Sequence, residues 1–558
     1  MGQHLPEIAI TVLLLLTIAS AVTIVSRRIR VPYTIALLIV GILLSITNYG
    51  THFSGFFTSE TLPQLILFAF LPALLFEAAV HLDFNEMKKR WSLIVLLAFV
   101  GILVSTFIAA TAIYIAGPRI GVILPFPLAL VFAAMIAPTD PVSVIALFKE
   151  VGISHGLTTV VESESLFNDG TAVVLYRILV GIAFIVTSAA SSPGSPHLDI
   201  AYLLGYGIRS FMLVVTGGAV VGLVFGILAG LLLSTIRDAM VEITITVVLA
   251  YASFLTAEAL KISPVIAVVT SGLVISHYAS RVEIFSSAGR VAADSFWEYL
   301  VFLVNSFIFL ILGLSIKIGD LVGQWKLIIL AVAATLLARA LTVYVLGGGF
   351  GRWKGSLPMP WQHVLFWGGL RGSLSLAMAL GLSAAFPHRS ELIVMTSGVV
   401  FFTLLVQGLT IKPLLGALGL MHASPERETY MMLQGELLAR QAAWRRLKQL
   451  YEDGVVSSDV FAVLNARYQQ IGQQLRNALQ AFLKEHPELR REELLSVLQE
   501  LLLIEKSRLQ SLRRDGVISD KVYERLSLSI DSEIVALREE NPEVIERHLS
   551  PSTEEVEA

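Results

Sequence analysis

The chain has 558 residues, of which 55% are hydrophobic and 15% are charged, and its mean hydropathy is +0.76. This composition excludes a soluble globular protein of that length and predicts a polytopic membrane protein. The absence of cysteine excludes disulfides, thiolate catalysis and cysteine-bound metal centres, and a formal net charge of −3 gives no basic field for nucleic acid.

Apolar runs long enough to cross a bilayer follow one another over residues 1–420. They predict an all-α polytopic membrane protein with about thirteen transmembrane helices. No positive residue precedes the first run and no small-residue cleavage site follows it, so it is interpreted as a retained span. The runs lie near residues 5–25, 31–47, 61–80, 91–116, 122–148, 160–186, 200–235, 241–260, 263–279, 293–316, 327–346, 361–386 and 391–415.

Lysine and arginine are more frequent in the loops after odd-numbered runs than in the loops after even-numbered runs. The loop after the third run, for example, holds Lys88, Lys89 and Arg90. The positive-inside rule then predicts a multi-pass protein of the plasma (inner) membrane with its amino terminus outside. An odd number of spans places the C-terminal tail in the cytoplasm.

A charged, helix-favouring composition begins after the last run and predicts a separate cytoplasmic helical domain over residues 424–549. The stretch LYEDGVVSSDVF recurs as LRRDGVISDKVY, so each copy is predicted to form a helix, an Asp-Gly turn and a second helix. Two interpretations stay open: a packing or dimerisation module, or a sensor that binds a regulator. Residues 550–558 are predicted to be a disordered tail.

The fifth run contains MIAPTDPVSV, in which Pro138 and Pro141 bracket Thr139 and Asp140. Each proline lacks the amide donor that a continuous helix requires, so the span is predicted to break near its middle. Unwound backbone at that depth is a device by which secondary transporters build ion sites. The alternative is a proline kink capped by its own threonine and aspartate.

The sixth run contains ESLFNDG, with two carboxylates inside an apolar segment. Ser165 and Asp169 are four residues apart and share one helix face, and Glu164 and Asn168 share the adjoining face. Carboxylate, hydroxyl and carbonyl oxygens are the ligands that a small hard cation needs in place of water. A carboxylate also binds a proton, so Asp169 is a candidate to hold either species.

The twelfth run contains FWGGLRGSLSLAMA, where Arg371 lies among glycines. Because a buried guanidinium needs a partner and suits a carboxylate, Glu164 is the best-placed candidate. The two interrupted runs also occupy corresponding places in the two halves of the chain, as expected of inverted repeats.

Other ionisable residues in the apolar runs support weaker interpretations. Glu77 lies either at the edge of the ion pathway or at the membrane end beside His81. Snorkelling or structural pairing is the default for a further set, namely Arg177, Arg209, Glu258 and Arg339. Close helix packing is the preferred role of the glycines of the seventh run, namely Gly217, Gly218, Gly222, Gly226 and Gly230.

Four motifs together resemble the cation/proton antiporter superfamily, and the pair Asn168–Asp169 resembles its sodium/hydrogen exchanger branch, which includes bacterial NhaP-like Na⁺/H⁺ antiporters. The motifs are TDPVSV at 139–144, ESLFNDGTAVVLY at 164–176, GGLRGSLSLA at 368–377 and FFTLLVQGLTIKPLL at 401–415. The resemblance covers roughly residues 1–420. It implies two broken, crossing helices, a dimerisation domain and hence a homodimer, and elevator-like alternating access.

The resemblance also implies roles for individual residues. Asp169 would be the carboxylate that binds cation or proton, with Ser165, Asp140 and the Thr139 carbonyl as further ligands. Asn168 would hold Asp140 across the broken helix. In the same way, the resemblance implies that Glu164 pairs with Arg371.

These observations predict a secondary antiporter that exchanges sodium or lithium, with potassium as an alternative, for a proton. It would need no cofactor, and its partners would be membrane lipid, a second copy of the chain and a regulator of the tail. An intramembrane aspartyl protease could use Asp140 and Asp169, but the chain lacks a GxGD-type turn. A channel would need a ring of carbonyls or like charges, which one arginine-compensated acidic site does not provide.

Overall fold

The computed structural model describes most of the chain, and all statements below concern those residues. They are 4–29, 32–47, 61–190, 200–236, 238–281, 285, 287–315, 318–348, 357–421 and 425–538. Within them the chain is helical and contains no β-strand, which confirms the all-α prediction. The chain divides into two compact units, Met1–Met421 and His422–Ala558.

The described part of the first unit consists mainly of apolar helices. Eight of its described helices have the length and composition to cross a membrane, and four more are apolar but shorter. The helices are α1 (His4–Ile29), α2 (Tyr33–Ile46), α3 (Thr61–His81), α4 (Phe84–Lys89), α5 (Trp91–Ile120), α6 (Phe126–Met135), α7 (Val142–Val151), α8 (His155–Ala190), α9 (Ile200–Thr235), α10 (Ala239–Ala259), α11 (Pro264–Arg281), α12 (Ser287–Ser315), α13 (Ile318–Gly323), α14 (Trp325–Gly347), α15 (Met359–Trp367), α16 (Ser373–Leu380) and α17 (Arg389–Ala417).

Two helices are interrupted, at the places where prolines and glycines predict it. The chain leaves the helix after α6 and re-enters it at α7, because Pro138 and Pro141 have no amide donor. A glycine-rich stretch separates α15 from α16 in the same way. The two interruptions touch: the Asp140 N–H donates to the Leu370 carbonyl over 2.8 Å.

The glycines of α9 allow it to approach α11 at backbone distance. A Cβ at Gly222 would overlap the Ala267 carbonyl and lie 2.7 Å from Thr270 Cβ, and one at Gly218 would lie 2.6 Å from the Ser263 carbonyl. This confirms close packing as the role of these two glycines.

The second unit consists of α18 (Pro425–Glu452), α19 (Ser458–Glu485), α20 (Pro487–Arg514) and α21 (Asp520–Arg538). Its two hairpins turn at Gly454 and Gly516, both with φ of 73°, a left-handed conformation that favours glycine. The predicted helix, Asp-Gly turn and helix is therefore confirmed in both copies. The predicted disordered tail, 550–558, lies outside the described residues, as do several loop lysines and arginines used to predict orientation.

We expect Gly222→Ala to lower the stability of the first unit, because the added methyl group would force α9 away from α11 at a cost of about 1–3 kcal/mol. Gly230→Ala is the matched control on the same helix, since its Cβ would make an ordinary contact of 3.6 Å with Tyr278. The measurement is thermal unfolding of the detergent-solubilised chain. Equal melting temperatures for the two variants would contradict this packing.

Candidate ion-binding site

A cavity of about 130 Å³ lies where the interruption between α6 and α7 faces α8. It has room for several water molecules or one partly dehydrated monovalent cation. All four predicted cation ligands line it, together with four further polar residues. The polar lining residues are Thr139, Asp140, Ser165, Asp169, Glu77, Glu162, Asn305 and Ser373.

Asp169 and Ser165 share one face of α8, as their spacing predicts. The Ser165 hydroxyl donates to the Thr139 carbonyl, which joins α8 to the interrupted segment. Asp169 Oδ1 is buried and has no hydrogen-bond partner among the described residues. Its carboxylate is therefore available to a proton or a cation.

Contacts at both of its oxygens fix the Asp140 side chain. Its Oδ1 accepts from the Val142 N–H over 3.1 Å and so caps α7. Its Oδ2 lies against Gly372, where any Cβ would overlap the carboxylate. The alternative interpretation, in which Asp140 caps the helix after the proline break, is therefore correct for Oδ1. Asp140 also lines the cavity.

Arg371 does not form the predicted ion pair with Glu164. Its Nη1 donates instead to the carbonyls of Ala137 and Pro138, the second over 3.1 Å. The physical reason is that unwound backbone leaves carbonyls without helical donors, and a guanidinium can satisfy several of them at once. The prediction of a Glu164–Arg371 pair was wrong because it assumed that only an anion could partner this cation.

Glu164 pairs with Arg339 of α14. Both side chains are buried, with exposed fractions of 2% and 9%. Arg339 Nη1 donates to one carboxylate oxygen and Nη2 donates to the other over 2.9 Å, which makes a two-point, charge-assisted contact. Arg339 also donates to the Leu365 carbonyl in the last turn of α15. Structural pairing, one of the two defaults proposed for Arg339, is therefore correct.

Asn168 contacts the interrupted segment at Thr139 and not at Asp140. Its Nδ2 donates to Thr139 Oγ1 over 3.2 Å and to Glu164 Oε1 over 3.0 Å. The predicted contact with Asp140 was wrong, because the amide is drawn toward the carboxylate one turn earlier on its own helix. Asn168 still links α8 to the break.

Other cavity residues were missed or left open by sequence reasoning, and the acidic and amide side chains among them are Glu77, Glu162 and Asn305. Glu77 lines the cavity and also lies 3.4 Å from His81 Nδ1, so both interpretations of it apply. Glu162 shares a helix face with Ser165 and Asp169, a spacing that could have identified it. Asn305 of α12 is 2% exposed, and its only signal in the sequence is a polar amide inside an apolar run.

A helical membrane protein in which two interrupted helices meet beside an unpartnered carboxylate is, in class, a secondary transporter and not an enzyme. The sequence profile described as "Sodium/hydrogen exchanger, transmembrane" matches residues 12–417. The chain belongs to the sodium/hydrogen exchanger family, which confirms the resemblance.

Relatives with similar sequences carry the name of Na⁺/H⁺ antiporter. NhaG of Bacillus atrophaeus is 33% identical over 544 residues, which cover 97% of this chain and 99% of that protein. ApNhaP of Aphanothece halophytica is 38% identical over 448 residues, 80% of each chain. The structure of the sodium proton antiporter MjNhaP1 from Methanocaldococcus jannaschii at pH 8 matches with a TM-score of 0.60 and 20% identity, over 75% of this chain and 100% of that chain, and so has the same fold.

We expect Arg339→Ala to destabilise the folded chain by about 3–5 kcal/mol, because it leaves Glu164 charged and buried without its partner. Adding Glu164→Gln should restore much of the loss. The control is Arg177→Ala, whose ion pair with Glu258 has side chains 46% and 29% exposed and should contribute no more than about 1 kcal/mol. Thermal unfolding of the wild type and the three variants measures the difference, and an unaltered stability of the Arg339→Ala protein would contradict the pairing.

Proposed function

We propose that this chain exchanges a monovalent cation, sodium or lithium with potassium as an alternative, for a proton across the plasma membrane. The observation that carries the proposal is the unpartnered carboxylate of Asp169 in a cavity that also presents Ser165, Asp140 and the interrupted backbone. The names of the relatives, Na⁺/H⁺ antiporters, support the same activity.

The proposed ligands are oxygens of three kinds. Asp169 and Asp140 provide carboxylates, Ser165 provides a hydroxyl, and Thr139 provides a backbone carbonyl. A hard cation prefers such oxygens, and a proton binds the same Asp169 carboxylate. The two ions therefore compete for one group, which couples the movement of one to the return of the other.

A count of charges supports electroneutral exchange. Glu164 is compensated by Arg339, and one oxygen of Asp140 accepts from the Val142 N–H. Of these three acids, Asp169 is then the one that exchanges a proton for a cation. If it crosses with a proton in one direction and with a cation in the other, no net charge moves in a cycle.

The proposed architecture follows from the charge distribution and the family. We place about thirteen spans in the membrane, with the amino terminus outside and residues 424–549 as a cytoplasmic domain. The two interrupted helices belong to inverted repeats, and the chain works as a homodimer by alternating access. The tail then either packs as a dimerisation module or binds a regulator.

We expect Asp169→Asn to reduce sodium-dependent proton flux in proteoliposomes to the level of protein-free vesicles, without unfolding the protein. The amide keeps the shape of the side chain, but it takes up no proton at neutral pH and has no negative charge to attract a cation. Asp238→Asn is the matched control. Asp238 caps α10 by accepting from the Met240 and Val241 N–H groups, a role that asparagine fills equally well.

Both variants are to be compared at equal protein content, with thermal unfolding as the check of folding. Flux at the wild-type level in folded Asp169→Asn would refute the assignment of the ion site.

We expect the exchange to be independent of membrane potential. Potassium and valinomycin are used to clamp vesicles at several potentials after potassium-driven proton flux has been measured, and sodium-driven flux should then be the same at each potential. A steady-state sodium gradient that changes with voltage, after correction for leak, would show that more than one proton moves per cation and that a second carboxylate titrates.

A further inference from the structure

Asn305 is a buried amide in the wall of the ion cavity, and the proposed function gives it no role. It lies on α12, which contributes Val301 and Asn305, four residues apart on one helix face, to the lining. Its side chain interacts with the Tyr33 hydroxyl of α2. Its Nδ2 nevertheless makes no hydrogen bond of ordinary length and angle within the described part of the chain. A buried amide donor in a native structure normally has an acceptor, so this one points to a partner from outside the protein.

A hydrogen-bond donor is unusual in this cavity because most of the polar lining consists of acceptors. An ionised carboxylate accepts hydrogen bonds and donates none. Four carboxylates line the cavity, those of Glu77, Asp140, Glu162 and Asp169. The Ser165 hydroxyl is already used, since it donates to the Thr139 carbonyl. The Asn305 amide therefore offers an unused N–H in a cavity rich in oxygen acceptors.

The chemistry of the N–H group limits what it can hold. An amide hydrogen carries partial positive charge, so it does not contact a cation directly. A water oxygen suits both groups, because one lone pair accepts from Asn305 Nδ2 and the other faces the cation. The cavity volume of about 130 Å³ has room for a monovalent cation with a retained water.

We propose that Asn305 positions a water molecule that acts as a ligand of the transported cation, and that Asn305 thereby helps to set the affinity for sodium. The inference rests on the proposed exchange at Asp169. Asn305 is a positioning residue, since it reaches the cation through the water. Because it belongs to α12 and the proposed ligands belong to α8 and the interruption before α7, the water joins two different parts of the fold around the loaded site.

The test measures sodium-driven proton flux in proteoliposomes at a series of sodium concentrations, which gives KM and kcat for each variant. Asn305→Leu keeps the size of the side chain and removes the donor. It should raise KM for sodium about fivefold, the loss expected for one hydrogen bond, and change kcat little. Wild-type KM in this variant would overturn the role of Asn305.

Asn305→Asp separates the proposed role from a structural one. It keeps the shape of the side chain and replaces the donor with a carboxylate, which can ligate the cation directly. KM for sodium should therefore fall at alkaline pH, opposite to the effect of leucine. A structural role predicts that both variants reduce the amount of folded protein or kcat, and a KM raised by both variants would contradict the proposal.

Ser306→Ala is the matched control on the same helix. Ser306 is 1% exposed, and its hydroxyl donates to the Phe302 carbonyl of its own helix over 2.7 Å. This variant should keep the wild-type KM. Thermal unfolding in sodium chloride and in choline chloride of equal ionic strength gives a second readout, in which sodium should stabilise Asn305→Leu less than Ser306→Ala.

The outcomes for the proposed function and for Asn305 are distinguishable. Absence of sodium-driven flux in the wild type would overturn the proposed exchange itself. Flux in the wild type together with equal KM and equal sodium stabilisation in Asn305→Leu and Ser306→Ala would leave the exchange in place and overturn the water-positioning role.

Discussion

Two unwound stretches of backbone face each other in the membrane unit, and each supplies hydrogen bonds that the other lacks. The Asp140 N–H donates to the Leu370 carbonyl, and the Arg371 guanidinium donates to the carbonyls of Ala137 and Pro138. An unsatisfied backbone group in hydrocarbon costs several kcal/mol, so neither interruption is stable alone. The position of every cavity residue on these segments depends on this reciprocal contact.

The same contact determines which buried carboxylate remains without a cationic partner. Since Arg371 is occupied by carbonyls, it forms no close ion pair with the cavity carboxylates in the described residues, and Asp169 keeps an oxygen without a partner. Glu164, one turn away on α8, is held by Arg339. Glu164 therefore has a structural role in an ion pair with Arg339. Asp169, on the same helix, remains available to bind an ion.

The sequence was sufficient for features with a local cause. Paired prolines and clustered glycines predicted where two helices stop, and helical spacing placed Ser165 and Asp169 on one face. The Asp-Gly turns of the tail were predictable because the left-handed backbone at Gly454 is a local requirement.

Features that depend on which helices are neighbours were not predictable in this way. Arg339 and Arg371 are both single cations in apolar runs, and helical periodicity gives the face of a residue but not the helix opposite it. The choice between them for Glu164 was made by tertiary packing. Asn305 was missed for the same reason, because nothing near it in the chain marks it as a cavity residue.

The cavity lies between two groups of packed helices. On one side, α5, α6, α8, α14 and α17 pack together and carry the interrupted segments, so the proposed ligands are held to one another by the contacts of Ser165 and Asn168 with Thr139. On the other side, Glu77 and Asn305 belong to α3 and α12, which pack with α2 and α11. A displacement of one group relative to the other would carry the ligand set intact and change only the wall that faces it. Because the bonds that hold the ligands lie within the first group, the proposed alternating access can move a bound ion without dismantling its site.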